Sequence, residues 1–436
     1  MKIPKLLLIF LAFACVVVYL TYIRNSYEEK KASTSAFYTN AGISSASHKN
    51  KPTSGKKYQY GIMFDAGSTG TRIHVFTFLL EPREAPKLAH EAFKAIKPGL
   101  SAYADEPEKC SKGLMELLEV AKENIPEEDR KMTPLVLKAT AGLRLLPGEK
   151  ADHLLNKVRE VFDRSPFLSR EDSVSIMDGT DEGRLYSLIF LLVLLKGDRH
   201  TPTVGMLDLG GGSTQITFAP QDEKTIQTSP IDYITSFKMF NLTYTLYSHS
   251  YLGLGLMSAR LAVLGGIEGQ PLKGTQELIS PCLPPDYTGQ WEHAEVTYTI
   301  KGQKPGEPIY ESCLKKVEKM LFKKVKKAED TGNMEFYAFS YYYDKAVDLG
   351  IIDEKNGGSI RVSDYIDGAK RVCSSLDTGS VGSPFTCLDL TYISVLLQEL
   401  GFPTNKVFKL ARKINGVETS WALGATFHYI ETLRNQ

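Results

Sequence analysis

Excess charge is the first thing missing from this sequence: 52 Lys and Arg stand against 51 Asp and Glu, for a formal net charge of +1. A chain so evenly balanced has no broad basic surface for a phosphodiester backbone, so nucleic acid is excluded as a partner. Cysteine is scarce, 6 in 436 residues, and no CxxC or Cys/His cluster offers the ligand spacing of a zinc centre. Long apolar runs are missing beyond the N-terminus; Leu188 to Leu195 is too short to span a bilayer and reads as a buried helix. No low-complexity block follows residue 57. What is present, 42% apolar and 24% charged residues over 436 positions, fits a globular α/β chain too long for a single core, and two domains are expected.

The N-terminus differs from the rest. Leu6 to Ile23 is apolar and uncharged, preceded by Lys2 and Lys5 and followed by Arg24. At about 1.5 Å per residue it reaches roughly 27 Å, near the thickness of a bilayer core. The apolar stretch continues past any small-residue cleavage site near Ala12 or Ala14, so residues 1–23 read as an uncleaved signal anchor rather than a removed signal peptide. Residues 24–57, rich in Ser, Lys, Thr and Asn, read as a flexible stem. The expected topology is type II, with the bulk of the chain in the lumen. Cysteine usage agrees with an oxidising compartment: Cys282 with Cys313 and Cys373 with Cys387 are the local pairs among three connectivities, leaving Cys110 over. Asn241-Leu-Thr243 is the one N-glycosylation sequon.

Against this background one stretch stands out. Lys57 to Phe78 reads as strand, tight turn, strand, with the turn at Asp65-Ala-Gly-Ser-Thr-Gly-Thr71. Gly67 and Gly70 remove the Cβ atoms that would hold a ligand off the backbone, and Ser68, Thr69 and Thr71 add hydroxyls, so the loop can surround an anion. Asp65 repels a phosphate and is instead suited to a cation or a cation's waters. By itself such a turn is an ordinary hairpin. Val204 to Phe218 repeats the plan, with Asp208 at the strand end, glycines 210 to 212, then Ser213 and Thr214. Two such hairpins point to a duplicated half with one phosphate loop from each. Facing each other across a cleft, they would hold a polyphosphate between two aspartates.

Between and beyond the hairpins, helical spacing over Lys112 to Ile125 and Glu149 to Phe162 alternates with strands at Thr133 to Lys138 and Ser173 to Met177. That alternation predicts α/β layers with loops gathered at one sheet end. Glu182 precedes the apolar run 185–195, where a carboxylate serves equally as a helix N-terminal cap or as a catalyst. The aromatic run Phe336 to Tyr343 reads as a buried strand or, alternatively, as a base-stacking site. Lys406 to Lys413 reads as a basic, solvated helical face, and Trp421 as core or as a wall of the cleft.

Five segments then carry a resemblance. Asp65-Ala-Gly-Ser-Thr-Gly-Thr-Arg72, Lys138-Ala-Thr-Ala-Gly-Leu-Arg144, Asp178-Gly-Thr-Asp-Glu-Gly183, Asp208-Leu-Gly-Gly-Gly-Ser-Thr-Gln215 and Glu418-Thr-Ser-Trp-Ala-Leu-Gly424 are similar, in order, to the five apyrase regions of the nucleoside triphosphate diphosphohydrolase family. The likeness runs from about Tyr60 to the C-terminus and leans to the secretory-pathway branch. It implies two ribonuclease-H-like lobes of the actin and Hsp70 type with a cleft between them, lobe I as 58–178 plus 414–436 and lobe II as 179–413. It further implies a monomer in Golgi or secretory-pathway membranes, with a soluble secreted form left open. The implied reaction is Ca²⁺- or Mg²⁺-dependent hydrolysis of the terminal phosphate of GDP, IDP and UDP, and more weakly of triphosphates, in support of glycosylation.

By motif position the resemblance makes Glu182 the general base, with Ser213 and Gln215 orienting the water. Ser68, Thr69, Gly70, Thr71, Arg72, Gly211, Gly212 and Ser213 would bind phosphate. Asp65, Asp208, Thr140 and Trp421 would hold the metal mainly through water. The cell-surface branch's base contact is not carried over to Leu254-Gly-Leu256, and Tyr342 and Tyr392 remain as the candidate stacking residues. The residues support this chemistry independently. Phosphoanhydride hydrolysis needs charge neutralisation and an in-line water, and no cysteine or Ser/His/Asp set at the loops suggests a covalent intermediate. One departure is marked: after Gly183 the third motif continues as Arg184-Leu-Tyr-Ser187 and Leu191 to Leu195, which repacks the helix behind the base. The alternatives are a catalytically silent nucleotide-binding scaffold, if that repacking ruins the site, and an actin-fold kinase or ATPase.

Overall fold

Ile62, Met63, Phe64 and Ala66 alternate faces along β1 (Lys57–Ala66), yet all are buried, so β1 must be covered on both sides. In the computed structural model it is the centre of a five-stranded sheet of order β3-β2-β1-β4-β5. Its partners are β2 (Thr71–Leu80), β3 (Lys87–Ile96), β4 (Leu135–Ala139) and β5 (Val174–Ile176). The pairs β1·β2 and β2·β3 are antiparallel, whereas β1·β4 and β4·β5 are parallel. The structure describes residues 57–436 except 82–85, 180, 183–203, 240–241, 269–276, 295, 305, 333, 377–382, 415–416, 419–420 and 435–436. The anchor expected over 1–23, the stem expected over 24–57 apart from Lys57, which begins β1, Asn241 and the segment from Arg184 to Leu195 lie outside the described residues. Among the described residues, no helix is long and apolar enough to cross a membrane.

One face of this sheet is closed by α1 (Cys110–Asn124) and α2 (Gly148–Asp163). Leu114, Leu117, Leu118 and Ala121 of α1, at helical spacing, meet Ile62, Phe64, Ile73 and Val75, and Leu154, Val158 and Phe162 of α2 complete the layer. Each such leucine or phenylalanine contributes about 1.5–3 kcal/mol by leaving water. The C-terminal helix, residues Trp421–Arg434, closes the other face, where Ala422, Leu423 and Ile430 pack on Met63, Phe76 and Phe78. Gly61 permits that approach, since a Cβ there would lie 2.4 Å from Thr426 Cγ2.

A seven-stranded sheet follows, of order β14-β15-β13-β6-β7-β9-β8. Its strands are β6 (Gly205–Leu209), β7 (Ser213–Phe218), β8 (Ile234–Met239), β9 (Leu242–Leu252), β13 (Phe336–Ser340), β14 (Gly358–Arg361) and β15 (Val407–Leu410). The inner run β9-β7-β6-β13-β15 reproduces the first sheet, antiparallel between β9, β7 and β6 and parallel between β6, β13 and β15. The repeat expected from the two hairpins is therefore a repeat of whole sheets. β10 (Glu277–Ser280), β11 (Thr288–His293) and β12 (Val296–Gly302) form a small separate sheet, and β16 (Lys413–Ile414) pairs with β17 (Val417–Glu418) just before the last helix.

The second core is held by α3 (Leu256–Leu264), α4 (Ile309–Leu321), α5 (Tyr341–Asp348), α6 (Val362–Leu376) and α7 (Thr386–Glu399), the terminal helix being α8. The disulfide Cys282–Cys313 ties the loop after β10 to α4, and Cys373–Cys387 ties α6 to α7; Cys110 is free and buried. Two sequence readings change. The aromatic run 336–343 is a strand only to Ser340 and a helix from Tyr341, because Ser340 takes φ 57° and ψ −126° and breaks the strand. The segment from Lys406 is not a helical face: β15 pairs with β13 and β14, and Lys406 is itself buried, donating to the carbonyls of Gly332 and Met334.

Candidate active site

The two glycine turns meet. In the first, Gly67 N–H donates to Gly70 O at 3.0 Å; at the matching positions of the second, Gly210 N–H donates to Ser213 O at 3.0 Å. A Cβ on Gly211 would lie 2.4 Å from Ser68 Oγ and 2.8 Å from Thr69 Cγ2, so the tips of the turns touch across a cleft. The first turn of α3 aims the second loop. Its amides, which have no partner within a helix, donate from Leu256 to Gly210 O and from Met257 and Ser258 to Gly211 O. With those carbonyls turned to the helix, the intervening N–H groups point away from it.

Backbone packs directly behind both loops. A Cβ on Gly99 would sit 2.4 Å from Gly67 O, and one on Gly255 would sit 2.4 Å from Ser213 N and 2.5 Å from Gly211 C. Gly255 has φ −70°, so only the close approach demands glycine there. Gly255→Ala should therefore displace the second loop by several tenths of an ångström and lower kcat/KM by about tenfold or more. Steady-state kinetics on the folded variant check this; wild-type kcat/KM would show that the loop tolerates displacement.

A cavity of about 680 Å³ lies at the turns, lined by Asp65, Thr140, Glu182, Asp208, Trp421, Ser68, Thr69, Arg72, Ser213 and the loop glycines Gly67 and Gly210 to Gly212. Trp421 is both core and wall, 2% exposed and present on the cavity surface. Gly70 and Thr71 complete the first turn from below, Thr71 being buried at the start of β2. Gln215 stands behind the wall. Its Nε2 lies 3.1 Å from Glu182 Oε2, 2.8 Å from Ser213 Oγ and 3.0 Å from Ser250 Oγ, while its Oε1 is buried without a partner.

Glu182 is 6% exposed and receives Arg144 Nη2 at 2.7 Å. A Cβ on Gly179 would fall 2.2 Å from Arg144 Nη1, so that glycine makes room for the guanidinium. Burial pushes the Glu182 carboxyl up to about 8; Arg144 pulls it back, and the charges of Asp208 and Asp65 push it further up. Asp65 is held by Arg72 Nη1 at 3.1 Å on Oδ2, with Oδ1 buried and unpartnered. Asp208 accepts the Ser340 hydroxyl at 2.5 Å.

Three buried carboxylates on one cavity, one with an unpartnered oxygen, fit a hard divalent cation. Asp65 and Asp208 would hold it, with Thr140 and Trp421 beside its waters. Among the described residues no three His, Cys, Asp or Glu side chains converge on one point.

The structure corrects one expectation. Tyr342 and Tyr392 are fully buried, and Tyr392 donates to Leu254 O, so neither can stack on a base in the cleft. Their helix periodicity turns them to the core; the flanking Tyr341 and Tyr343 line the cavity instead, with Asp344 and Arg412. The Arg412 guanidinium lies 5.6 Å from the centre of the Tyr343 ring. Sequence reasoning also missed roles for Arg144, Ser250 and Ser340. Arg144 was within reach, because it ends the second motif, but nothing in the sequence ties it to Glu182.

The GDA1/CD39 (nucleoside phosphatase) family pattern matches residues 51–436. Human ectonucleoside triphosphate diphosphohydrolase 6 is 60% identical over 385 residues, covering 88% of this chain and 79% of its own length. The human nucleoside diphosphate phosphatase ENTPD5 is 51% identical over 378 residues, 86% of this chain and 88% of its own. Among solved structures, a nucleoside triphosphate hydrolase from Neospora caninum superposes with a TM-score of 0.57 at 15% identity, covering 95% of this chain and 97% of its own; that likeness concerns the fold alone.

Proposed function

From the premise that this chain belongs to the GDA1/CD39 nucleoside phosphatase family, we propose that it removes the terminal phosphate of GDP, IDP and UDP, and more slowly of triphosphates, with Glu182 as the base that activates water. It is a hydrolase of nucleotide phosphoanhydride bonds, and its family depends on divalent cations. The contact of Ser68 with Gly211, which sets both phosphate loops on the cavity that Glu182 lines, carries the reading.

In this mechanism the amides of both loops and the hydroxyls of Ser68, Thr69 and Ser213 bind the phosphoryl oxygens, while the buried Thr71 and Gly70 shape the first turn from outside the cavity. Asp65 and Asp208 would hold Ca²⁺ or Mg²⁺, which when bound would neutralise charge on the phosphates. Gln215, whose amide joins Glu182 Oε2 to Ser213 Oγ from behind the wall, would orient the attacking water through those two groups. Glu182 takes a proton from that water as it adds in line, and the nucleotide leaves one phosphate shorter. Tyr341 and Arg412 offer an aromatic and cationic wall on which the base can lie.

We place the protein in the lumen of the secretory pathway on an N-terminal type II anchor, as a monomer, where conversion of nucleoside diphosphate to monophosphate supports glycosylation. Lobes 58–178 with 414–436 and 179–413 would close the cleft on the nucleotide. Two disulfides support an oxidising compartment. Phosphate release from a panel of nucleoside di- and triphosphates, with and without chelator, tests the substrate and ion together. Chelator-insensitive release, or release from triphosphates alone, would overturn it.

The pH profile tests the base. A carboxyl near 8 is protonated and inactive below that pH, so kcat/KM should rise with pH along its acid limb. A cation at Asp65 and Asp208 cancels two of the charges that raise Glu182, so the limb should move to lower pH as metal is added. Rate profiles at low and saturating metal measure the shift; a limb that stays fixed would argue against this coupling.

A further inference from the structure

Ser340 joins β13 to α5 at φ 57° and ψ −126°. Only three non-glycine residues among those described have positive φ, and Ser340 is the one on the active-site cavity. Glycine adopts such a conformation freely, whereas a side chain there is strained.

The strand register explains what the strain accomplishes. In the parallel pair β13·β6, Phe339 lies opposite Asp208 and Ser340 opposite Leu209. Paired residues share a face and successive ones alternate, so an extended Ser340 would turn its side chain to the Leu209 face, away from Asp208. The positive φ brings it back, and Ser340 Oγ donates to Asp208 Oδ1 at 2.5 Å. The first sheet solves the same problem differently, with Arg72 of β2 holding Asp65.

We infer that Ser340 is a positioning residue whose strained backbone aims its hydroxyl to fix the Asp208 carboxylate for the divalent cation of the nucleotide complex. The inference rests on the reading of Asp208 as a holder of that cation. It separates Ser340 from an ordinary structural serine because two variants that lose the same hydroxyl differ in the backbone strain they keep. Ser340→Gly relieves the strain while deleting the hydroxyl; Ser340→Ala deletes the hydroxyl and keeps the strain.

The test uses the full chain with the non-hydrolysable methylene analogue of GDP, titrated with Mn²⁺ and followed by electron paramagnetic resonance of the free ion. Melting temperatures are taken in parallel without metal. Ser340→Gly should bind Mn²⁺ more weakly by about tenfold or more, the size of one lost hydrogen bond to a charged group, and melt above Ser340→Ala, which loses the same bond but keeps the strain. Ser340→Ala should weaken binding equally and melt no higher than wild type. Wild-type Mn²⁺ affinity in Ser340→Gly, with Asp208→Ala weakened, would overturn the role of Ser340 alone. Unchanged affinity in Asp208→Ala would overturn the parent reading and this one with it.

Discussion

Glu182→Gln should lower kcat by about a hundred- to ten-thousandfold, the usual contribution of a positioned general base, with KM for nucleotide nearly unchanged. The amide keeps the volume and can still accept from Arg144, so the loops and the cation holders stay in place. Stability should move the other way. In the native state the Glu182 carboxyl sits near 8, above its ordinary value of 4.5, so native protein holds a proton there that unfolded protein has lost. Stability linked to this group is therefore present at low pH and falls as pH rises from the unfolded value through about 8. A neutral glutamine does not lose it. Without metal, the variant should melt above wild type at pH 8 and higher, by an amount reflecting on the order of a few kcal/mol. Scanning calorimetry across pH and single-turnover phosphate release check the two halves separately. Undiminished release would remove Glu182 from the mechanism, whatever the calorimetry gave.

Arg144→Gln should cost nearly as much at neutral pH by a different route. The guanidinium lowers the Glu182 carboxyl, against burial, Asp208 and Asp65. Removing one partner of a buried pair strands the other, at about 3–5 kcal/mol if it stays ionised. Glu182, already largely protonated below about 8, will instead keep its proton to still higher pH, and the small fraction of base form present at pH 7 will be lost. Activity should fall by about a hundredfold there and recover in part at alkaline pH, with the acid limb displaced upward. That displacement distinguishes Arg144 from a residue that only packs against Gly179: a variant with uniformly low activity and an unmoved limb would assign it to packing.

Much of this site could be read before any coordinates. Both hairpins announce themselves through an aspartate at a strand end, glycines where the chain must bend, and hydroxyls after them, and β1·β2 and β6·β7 form as those patterns require. The helices α1 and α2 follow from leucines at helical spacing. Reading broke down where a residue's surroundings come from distant chain. The tyrosines of 341–343 are identical in type, and only the turn at Ser340 decides that Tyr342 is wholly in the core while Tyr341 and the nearly buried Tyr343 line the cavity. Lys406 carries a surface residue's signature, yet β15 inserts beside β13 and takes it inside.

What the chain's own order of residues determined is the set of local devices: two phosphate-sized turns, the strands that carry them, and a carboxylate placed before an apolar run. Those depend on backbone freedom at glycine and on side-chain periodicity, which act over a few neighbours. Only the tertiary structure decided that Ser68 meets Gly211, that Arg144 finds Glu182 across 38 positions of chain, and that Ser340 turns back to Asp208. Burial then sets the chemistry. A carboxylate is an ordinary acid in water and a base near neutrality only once the fold has taken its solvent away.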